Sequence, residues 1–539
     1  MNSSRKTFSK SSYLIFKQCP KYFWYYINDR ESIPEHDKRA QFNFTLGHIV
    51  GELAKMCYPD GIEVGYYNDF TQNLARTKSL MLEKKPLFEA GILYNNEYYD
   101  IYSRADILAP SNKKDQWDII EVKSSTSIKE VNLLDLAFQK YCYEKAGVKI
   151  NSCYLMYINN QYIRQDKLDV KQLFTITELT EEVEKIYPHI KNDLKNMLII
   201  ANNENFIFKD SDKEPEEKVG KFCDSPFNCP LKEKCWAEVR KDSIFFLYSI
   251  NKKIISKLME CNIRFIDEIP LDFQGINNKQ KIQIECVKKS QPYIDKQLIR
   301  QFISKIKYPI YFLDFETFSS PIPLIENTKP YQNIPFQFSL HILRYNSNDP
   351  QHYSFIASGN SDPRKELLKN LKEKLNFEKE KGSIIVYNES FEKAILKDLA
   401  EYDPYSADWI YSIISNIVDL YEPFRNFYYY NKLQNGSASV KKVLPALTDK
   451  SYENLEIANG DIASISFLEK SFLWKNFLKE YNFFERIKNL NNINFTADQE
   501  ENEEKEIEKL RENLHNYCKL DTEAMIDIYH HLLKIVEQC

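Results

Sequence analysis

Between Arg104 and Tyr143 the chain reads RADILAPSNKKDQWDIIEVKSSTSIKEVNLLDLAFQKYCY. Two short apolar runs bearing charge at fixed positions are followed by a segment of helical period, an order that few folds satisfy. Asp106 lies in the first run, and the second, Trp117 to Val122, delivers Glu121 and, two residues on, Lys123. Side chains two apart on a strand share a face, so Glu121 and Lys123 project together toward whatever Asp106 faces. In the helical segment Gln139 and Tyr143 are four apart and therefore neighbours. Two carboxylates suit a hard divalent cation such as Mg²⁺. A lysine beside them suits orienting and deprotonating a water that attacks a phosphodiester. The ExK triplet alone reads equally as a half-buried hairpin with a surface Glu–Lys pair; the flanking residues make it a candidate catalytic centre.

The 539 residues suggest three or four units on a prior of about 150 residues per domain. With 43% hydrophobic and 28% charged residues the chain is expected to be globular. Its net charge of −5 argues against a uniformly basic nucleic-acid binder, although only a groove needs to be basic. Tyr 36 and Phe 34 against Gly 12 fit an AT-rich coding bias, so aromatic abundance is no signal of base stacking. No run of about 18 apolar residues occurs, and MNSSRKTFSKSSYLIF lacks an apolar export segment. The expectation is a cytoplasmic protein without a membrane partner, whose 11 Cys are free thiols or metal ligands.

SKSSYLIFKQCPKYFW reads as a capped helix carrying Cys19 before Pro20, and QFNFTLGHIVGELAKMCYPDG as a helix with His48 near its start. CYLMYINNQYIR reads as a strand and turn, and Thr177 to Asn196 as an amphipathic helix. Past a charged connection, CDSPFNCPLKEKCW places Cys223, Cys229 and Cys235 with five residues between each. Three cysteines need a fourth to close a zinc site or a cubane cluster, and Cys19, also followed by Pro, is the best candidate. Spacing leaves zinc and iron–sulphur both open. Residues 239–306 read as a helical linker whose Lys-rich faces are solvated or, alternatively, track a phosphate backbone.

At Tyr308 the character changes to YPIYFLDFETF, an apolar strand with Asp314 and Glu316 on one face. IPFQFSLHILRY and YSFIA read as further strands of an antiparallel meander, and GSIIVYNESFEKAILKDLA as strand, turn and helix with Asn388 and Glu392 at the turn. NGSASVKKVLPAL reads as a helix start capped near Ser439 and suited to a phosphate. LHNYCKLDTEAMIDIYHHL is a helix with Tyr517 and Asp521 four apart. Three or four carboxylates in this order suit two Mg²⁺ or Mn²⁺ about 4 Å apart, with the tyrosine aligning the attacking water. The acidic run QEENEEKEIEKL reads as a solvated face or a disordered insert.

Across residues 8–238, the Cys-Pro helix, Gly-His, Asp106, Glu121-Val122-Lys123, Gln139 with Tyr143 and the three-cysteine stretch resemble the RecB-like nucleases of the PD-(D/E)xK superfamily. The closest branch carries a four-cysteine iron–sulphur cluster, as in the CRISPR-associated Cas-four exonucleases. That resemblance implies His48, Asp106, Glu121 and the Val122 carbonyl as metal ligands, Lys123 as catalytic lysine, and Gln139 and Tyr143 facing DNA. It implies a [4Fe–4S] cluster on Cys19, Cys223, Cys229 and Cys235, with Zn²⁺ as the alternative. Residues 307–539 resemble the Tyr-type DnaQ-like (DEDD) 3′–5′ exonucleases of the ribonuclease H-like fold. Asp314, Glu316, Glu392 and Asp521 would then hold metal, Tyr517 would be catalytic, and Asn388 and Ser439 would contact nucleic acid. The second acidic motif of that family ends in Asp where this chain has Glu392, one methylene longer; Asp419 is the alternative ligand. The two modules together also look like a bacterial family of uncharacterised two-nuclease fusions. The expected architecture is α/β multi-domain: a restriction-endonuclease-like core, a helical linker and a ribonuclease H-like domain. The expected activity is metal-dependent trimming of DNA in repair, defence or CRISPR-linked processing. The alternatives are one site acting only as a clamp, or an RNA-trimming exonuclease.

Overall fold

The computed structural model describes residues 5–65, 70–203, 219–345, 347, 349–483 and 500–537. The chain forms two compact α/β units, one of residues 1–239 with 320–331, the other of residues 240–319 with 332–539. Among the described residues no helix is long and apolar enough to cross a membrane.

The first unit is built on a seven-stranded sheet of β1 (Thr7–Ser9), β2 (Ile62–Glu63), β3 (Leu87–Asn95), β4 (Asp100–Pro110), β5 (Trp117–Lys123), β6 (Ile150–Ile158) and β7 (Phe174–Glu178). The main path runs β2-β3-β4-β5-β6-β7, with β1 pairing parallel to β4. β3, β4 and β5 are antiparallel neighbours, whereas β5 and β6 are parallel. A parallel pair needs a long crossover, and the helix Glu130–Lys145 supplies it. Eleven of its 16 residues are buried, because the helices Lys10–Gln18 and Thr180–Ala201 cover what the sheet does not. That enclosure corrects the expectation that Gln139 and Tyr143 face DNA: both are fully buried. The Tyr143 hydroxyl donates to the Ala90 carbonyl and accepts from the Ala105 N–H, stapling the helix to a facing pair of the β3–β4 ladder.

In the second unit a five-stranded sheet has the order β11-β10-β9-β12-β13 and a two-stranded ribbon pairs β8 with β14. The strands are β8 (Tyr293–Ile294), β9 (Ile310–Phe318), β10 (Ile334–Leu343), β11 (Gln351–Ile356), β12 (Ser383–Val386), β13 (Ile417–Asp419) and β14 (Tyr429–Tyr430). β9, β10 and β11 form the antiparallel meander, and β12 and β13 run parallel to β9. The helix Glu500–Glu537 packs across β9 and β10. The acidic run expected to be a solvated face or an insert forms the opening turns of this helix from Glu500 onward.

Residues 240–306, expected to be a linker, belong to the second unit and carry a core of their own, with Ile244, Leu247, Leu258, Ile266, Ile269 and Ile284 buried together. Their helices Lys252–Glu260 and Asn278–Lys289 begin at Asn251 and Asn277, whose side chains accept from Ile254 and Gln280 N–H groups.

Tyr143→Phe leaves a buried donor and a buried acceptor unpaired at no cost in volume. It should destabilise the first unit by about 1–3 kcal/mol, read by urea unfolding, while leaving affinity for nucleic acid unchanged; weakened binding without lost stability would restore the surface role.

Candidate functional site

The first acidic site lies in the first unit. The pairing of Ile107 with Ile120 sets Asp106 beside Glu121 across β4 and β5, and residues opposite each other on antiparallel strands share a face. The Phe88–Ile107 and Ala90–Ala105 pairs likewise set Glu89 opposite Asp106. Asp106 accepts from the Val122 N–H at 2.8 Å, a bond that holds the Glu121–Lys123 segment in register with it. Glu121, 1% exposed, accepts from Lys10 Nζ at 2.8 and 3.0 Å, from Lys123 Nζ and from Gln139 Nε2 at 2.6 Å. Asp135, equally buried, accepts from Lys123 Nζ at 3.0 Å and from Gln139 at 2.9 Å. Burial and Asp106 push the Glu121 carboxyl up, but the two ammonium groups win and hold it below its ordinary value. Lys10 and Lys123 are raised in turn: burial opposes their charge, and Asp135 and Glu121 outweigh it. Glu89 is pushed up to about 7 by burial and by Asp106, against Arg104, which donates to it at 2.8 Å. His48 is exposed on the helix Lys38–Lys55; crowding and the Arg104 and Lys55 charges lower its pKa, while Asp106 opposes them.

The structure thus brings Asp106, Glu121, Val122, Lys123 and Gln139 together, with Gln139 acting as a bracket between two acids. Lys10, Glu89 and Asp135 were missed. Lys10 is contributed from 111 residues upstream of Glu121, a distance over which no local pattern operates. Asp135 did carry a signal, since it precedes Gln139 by one helical turn.

Cys19 caps the helix Pro20–Asn28, its sulphur accepting from the Tyr22 N–H at 3.5 Å. The Gln18 amide donates to the carbonyls of Phe222 and Phe227 at 2.8 and 2.6 Å, tying the end of the helix Lys10–Gln18 to the distant cysteine segment. Burial raises the Cys19 thiol, and Cys223 and Cys235 raise it further. Cys229 is pushed up to about 12 by burial with Cys19, Cys223 and Cys235 contributing. The four thiols therefore face a common space. Among the described residues no three of these sulphurs lie within 4.8 Å of one another, wider than the edge of about 3.8 Å that tetrahedral Zn²⁺ with 2.3 Å bonds imposes.

The second acidic site is a cavity of about 540 Å³ in the second unit. Asp314 and Glu316 reach it from β9, Glu392 from the helix Glu389–Tyr402 that starts directly after β12, and Tyr517 and Asp521 from the helix Glu500–Glu537. Asn388 enters the turn after β12 with φ +80°, and its N–H donates to Asp419 at 2.9 Å. Asp419 also accepts from the Tyr421 N–H at 3.0 Å and does not line the cavity. Its task is to hold that turn. Glu392 lines the cavity instead, buried, with Oε2 lacking any hydrogen-bond partner. Ser439 is exposed at the start of the helix Val440–Leu447 and makes no side-chain cap bond, contrary to the expected cap.

Burial dominates the electrostatics here. Asp314 and Glu316 are both raised well above the usual carboxylate range, by burial and then by Asp521. Glu392 is pushed up to about 8 by burial, with Asp419 and Asp521 adding to it. Asp521 is raised to about 6 by burial, tempered by the Tyr452 hydroxyl, which donates to it at 2.7 Å, and by Lys441 and Tyr517. Cys518 donates to Asp314 at 3.4 Å. Lys441 lines the cavity and donates to the Ala458 carbonyl at 2.6 Å; burial lowers its pKa while Asp521, Glu316 and Asp461 draw it back up. Gly460 starts the helix Gly460–Lys470, where a Cβ would come within 3.3 Å of Glu316. Lys441, Tyr452 and Cys518 were missed: Lys441 and Cys518 sit inside quoted motifs, whereas Tyr452 reaches Asp521 across 69 residues.

Residues 311–439 match a family model described as a domain of unknown function (DUF2779). Similar proteins include "Uncharacterized protein MG366" of Mycoplasma genitalium, 27% identical over 237 residues, 40% of this chain and 35% of the relative. "Uncharacterized protein UU173" of Ureaplasma parvum is 24% identical over 409 residues, 69% of this chain and 52% of the relative. The chain thus spans about a third to a half of the length of these relatives. Among solved structures, the crystal structure of SSO0001 is similar at 15% identity and a TM-score of 0.23, covering 44% of this chain and 90% of that one.

The acids of the second site bind protons more readily folded than unfolded, so the folded state holds the extra protons and stability falls with rising pH. Metal-free protein should therefore melt at progressively lower temperature from about pH 5 upward, through the Asp521 and Glu392 titrations near about 6 and about 8. Glu392→Gln should flatten the upper part of this decline in calorimetry; a melting temperature that rises across the window would contradict the assignment.

Proposed function

We propose that the chain is a divalent-metal-dependent nuclease with two active sites that hydrolyses phosphodiesters of DNA, with RNA as the alternative polymer. The observation that carries the reading is the convergence of Asp314, Glu316, Glu392 and Asp521, from three separate segments, on one cavity beside Tyr517. Oxygen donors alone suit Mg²⁺ or Mn²⁺, and the unpartnered Glu392 Oε2 is the kind of buried atom that calls for a cation. Those four carboxylates would hold the metal, which when bound supplies Lewis-acid charge and an acidified water. Tyr517 aligns that water, Lys441 offsets charge developing on the scissile phosphate, and Tyr452 keeps Asp521 turned toward the cavity. The antiparallel meander followed by two parallel strands supports a ribonuclease H-like, DnaQ-type assignment for this unit.

In the first unit Asp106, Glu121 and the Val122 carbonyl would hold metal with His48, and Lys123 would orient water, in a restriction-endonuclease-like core. Here Glu121 and Asp135 are already balanced by Lys10 and Lys123, so the alternative in which one site serves only as a clamp favours this one. The four cysteines Cys19, Cys223, Cys229 and Cys235 would hold a [4Fe–4S] cluster, with Zn²⁺ as the alternative.

Asp106→Ala with Asp314→Ala should abolish Mn²⁺-dependent digestion of single-stranded DNA, and each single variant should leave the other site's product ladder. Undiminished digestion by the double variant would sink the proposal. Anaerobically purified protein should be brown, absorbing near about 400 nm, and Cys19→Ser should lose iron and lower the melting temperature of the first unit. Colourless protein with stoichiometric zinc would reverse the cluster assignment.

A further inference from the structure

The second cavity poses an electrostatic problem for its own substrate. Four buried carboxylates repel a polyanion, and bound metal neutralises only the phosphate under attack, so the rest of a strand needs positive charge elsewhere. The helical module Arg240–Lys307 has it: fourteen Lys and Arg against seven Asp and Glu, a surplus of seven in a chain whose net charge is −5. We propose that this module is a track for single-stranded nucleic acid that feeds the second cavity, an inference that rests on the hydrolase reading of that cavity.

Three observations support it. The charge is presented outward: Lys252 and Lys253 are exposed, Lys257 and Lys281 half-buried, and none of the four makes an ion pair among the described residues, while Ile244, Leu258, Ile266 and Ile284 fill the interior. The module packs closely against the segment that leads to Lys441. Gly436 has φ +70°, and a Cβ there would lie 2.2 Å from the Phe246 carbonyl of the module, which also accepts from Gln283 at 2.9 Å. Five residues beyond Gly436 is Lys441, inside the cavity. The occupant follows from charge complementarity: a chain of phosphates matches ammonium groups on two helices that have no carboxylate to satisfy them.

The test uses the full chain with Lys252, Lys253, Lys257 and Lys281 all changed to Glu. The probes are an end-labelled oligo(dT) of about 30 nucleotides, titrated against salt, and the p-nitrophenyl ester of thymidine monophosphate, which reaches the cavity alone. The variant should bind the oligonucleotide at least about tenfold more weakly near 0.1 M salt, with a shallower salt slope. Its kcat/KM on the polymer should fall in step while hydrolysis of the ester is unchanged. The corresponding Lys→Gln quadruple variant should lose the same slope, which separates lost attraction from repulsion or misfolding. Unchanged affinity and slope in both variants would overturn the track. A wild type that cleaves neither substrate would overturn the hydrolase reading instead, and the binding comparison would still decide the track.

Discussion

A carboxylate taken out of water must find a cation, a proton or hydrogen-bond donors, because its unpaired charge is too costly to bury. The two units meet this requirement differently. In the first, Glu121 and Asp135 are enclosed by Lys10, Lys123 and Gln139, and the ammonium groups hold the Glu121 carboxyl below its ordinary value. In the second, Asp314, Glu316, Glu392 and Asp521 share one cavity lined by Lys441, and burial raises the pKa of all four.

The contrast has consequences for chemistry. In the proposed reading a metal at the first site would compete with two tethered ammonium groups for Glu121. A metal at the second would displace protons from acids whose affinity for them burial raises, so its binding would be linked to pH. Supporting groups follow the same division. Gln139 brackets two acids in one unit; in the other, Tyr452 and Cys518 each donate to an acid, and Asp419 steadies the turn that delivers Glu392.

The covering elements explain why some expectations failed. Gln139 and Tyr143 lie four apart as their spacing indicates, yet that face is turned inward because the helix Glu130–Lys145 is covered on nearly all sides. A helix pattern reveals which residues are neighbours and not what covers them. Ser439 shows the same limit: its residue type suits a cap, and the backbone there simply does not use it. The segment 240–306 carries an apolar core that its Lys-rich composition conceals, because eight scattered aliphatic positions become one cluster only after the turns between them are made.

Residue types and short spacings were sufficient to identify two acidic strands, the i, i+2 pairing of Asp314 with Glu316 and the i, i+4 pairing of Tyr517 with Asp521. These follow from the pleat and the helical repeat, which act over a few residues and are written in the chain. Tertiary structure alone decided that Glu392 and not Asp419 lines the cavity, and that Lys10 and Asp135 complete the first network. It alone decided that Lys441 and Tyr452 belong to the second site and that the basic module packs against the segment leading to Lys441. Those contacts join segments tens to hundreds of residues apart, and their geometry comes from packing that no local rule encodes.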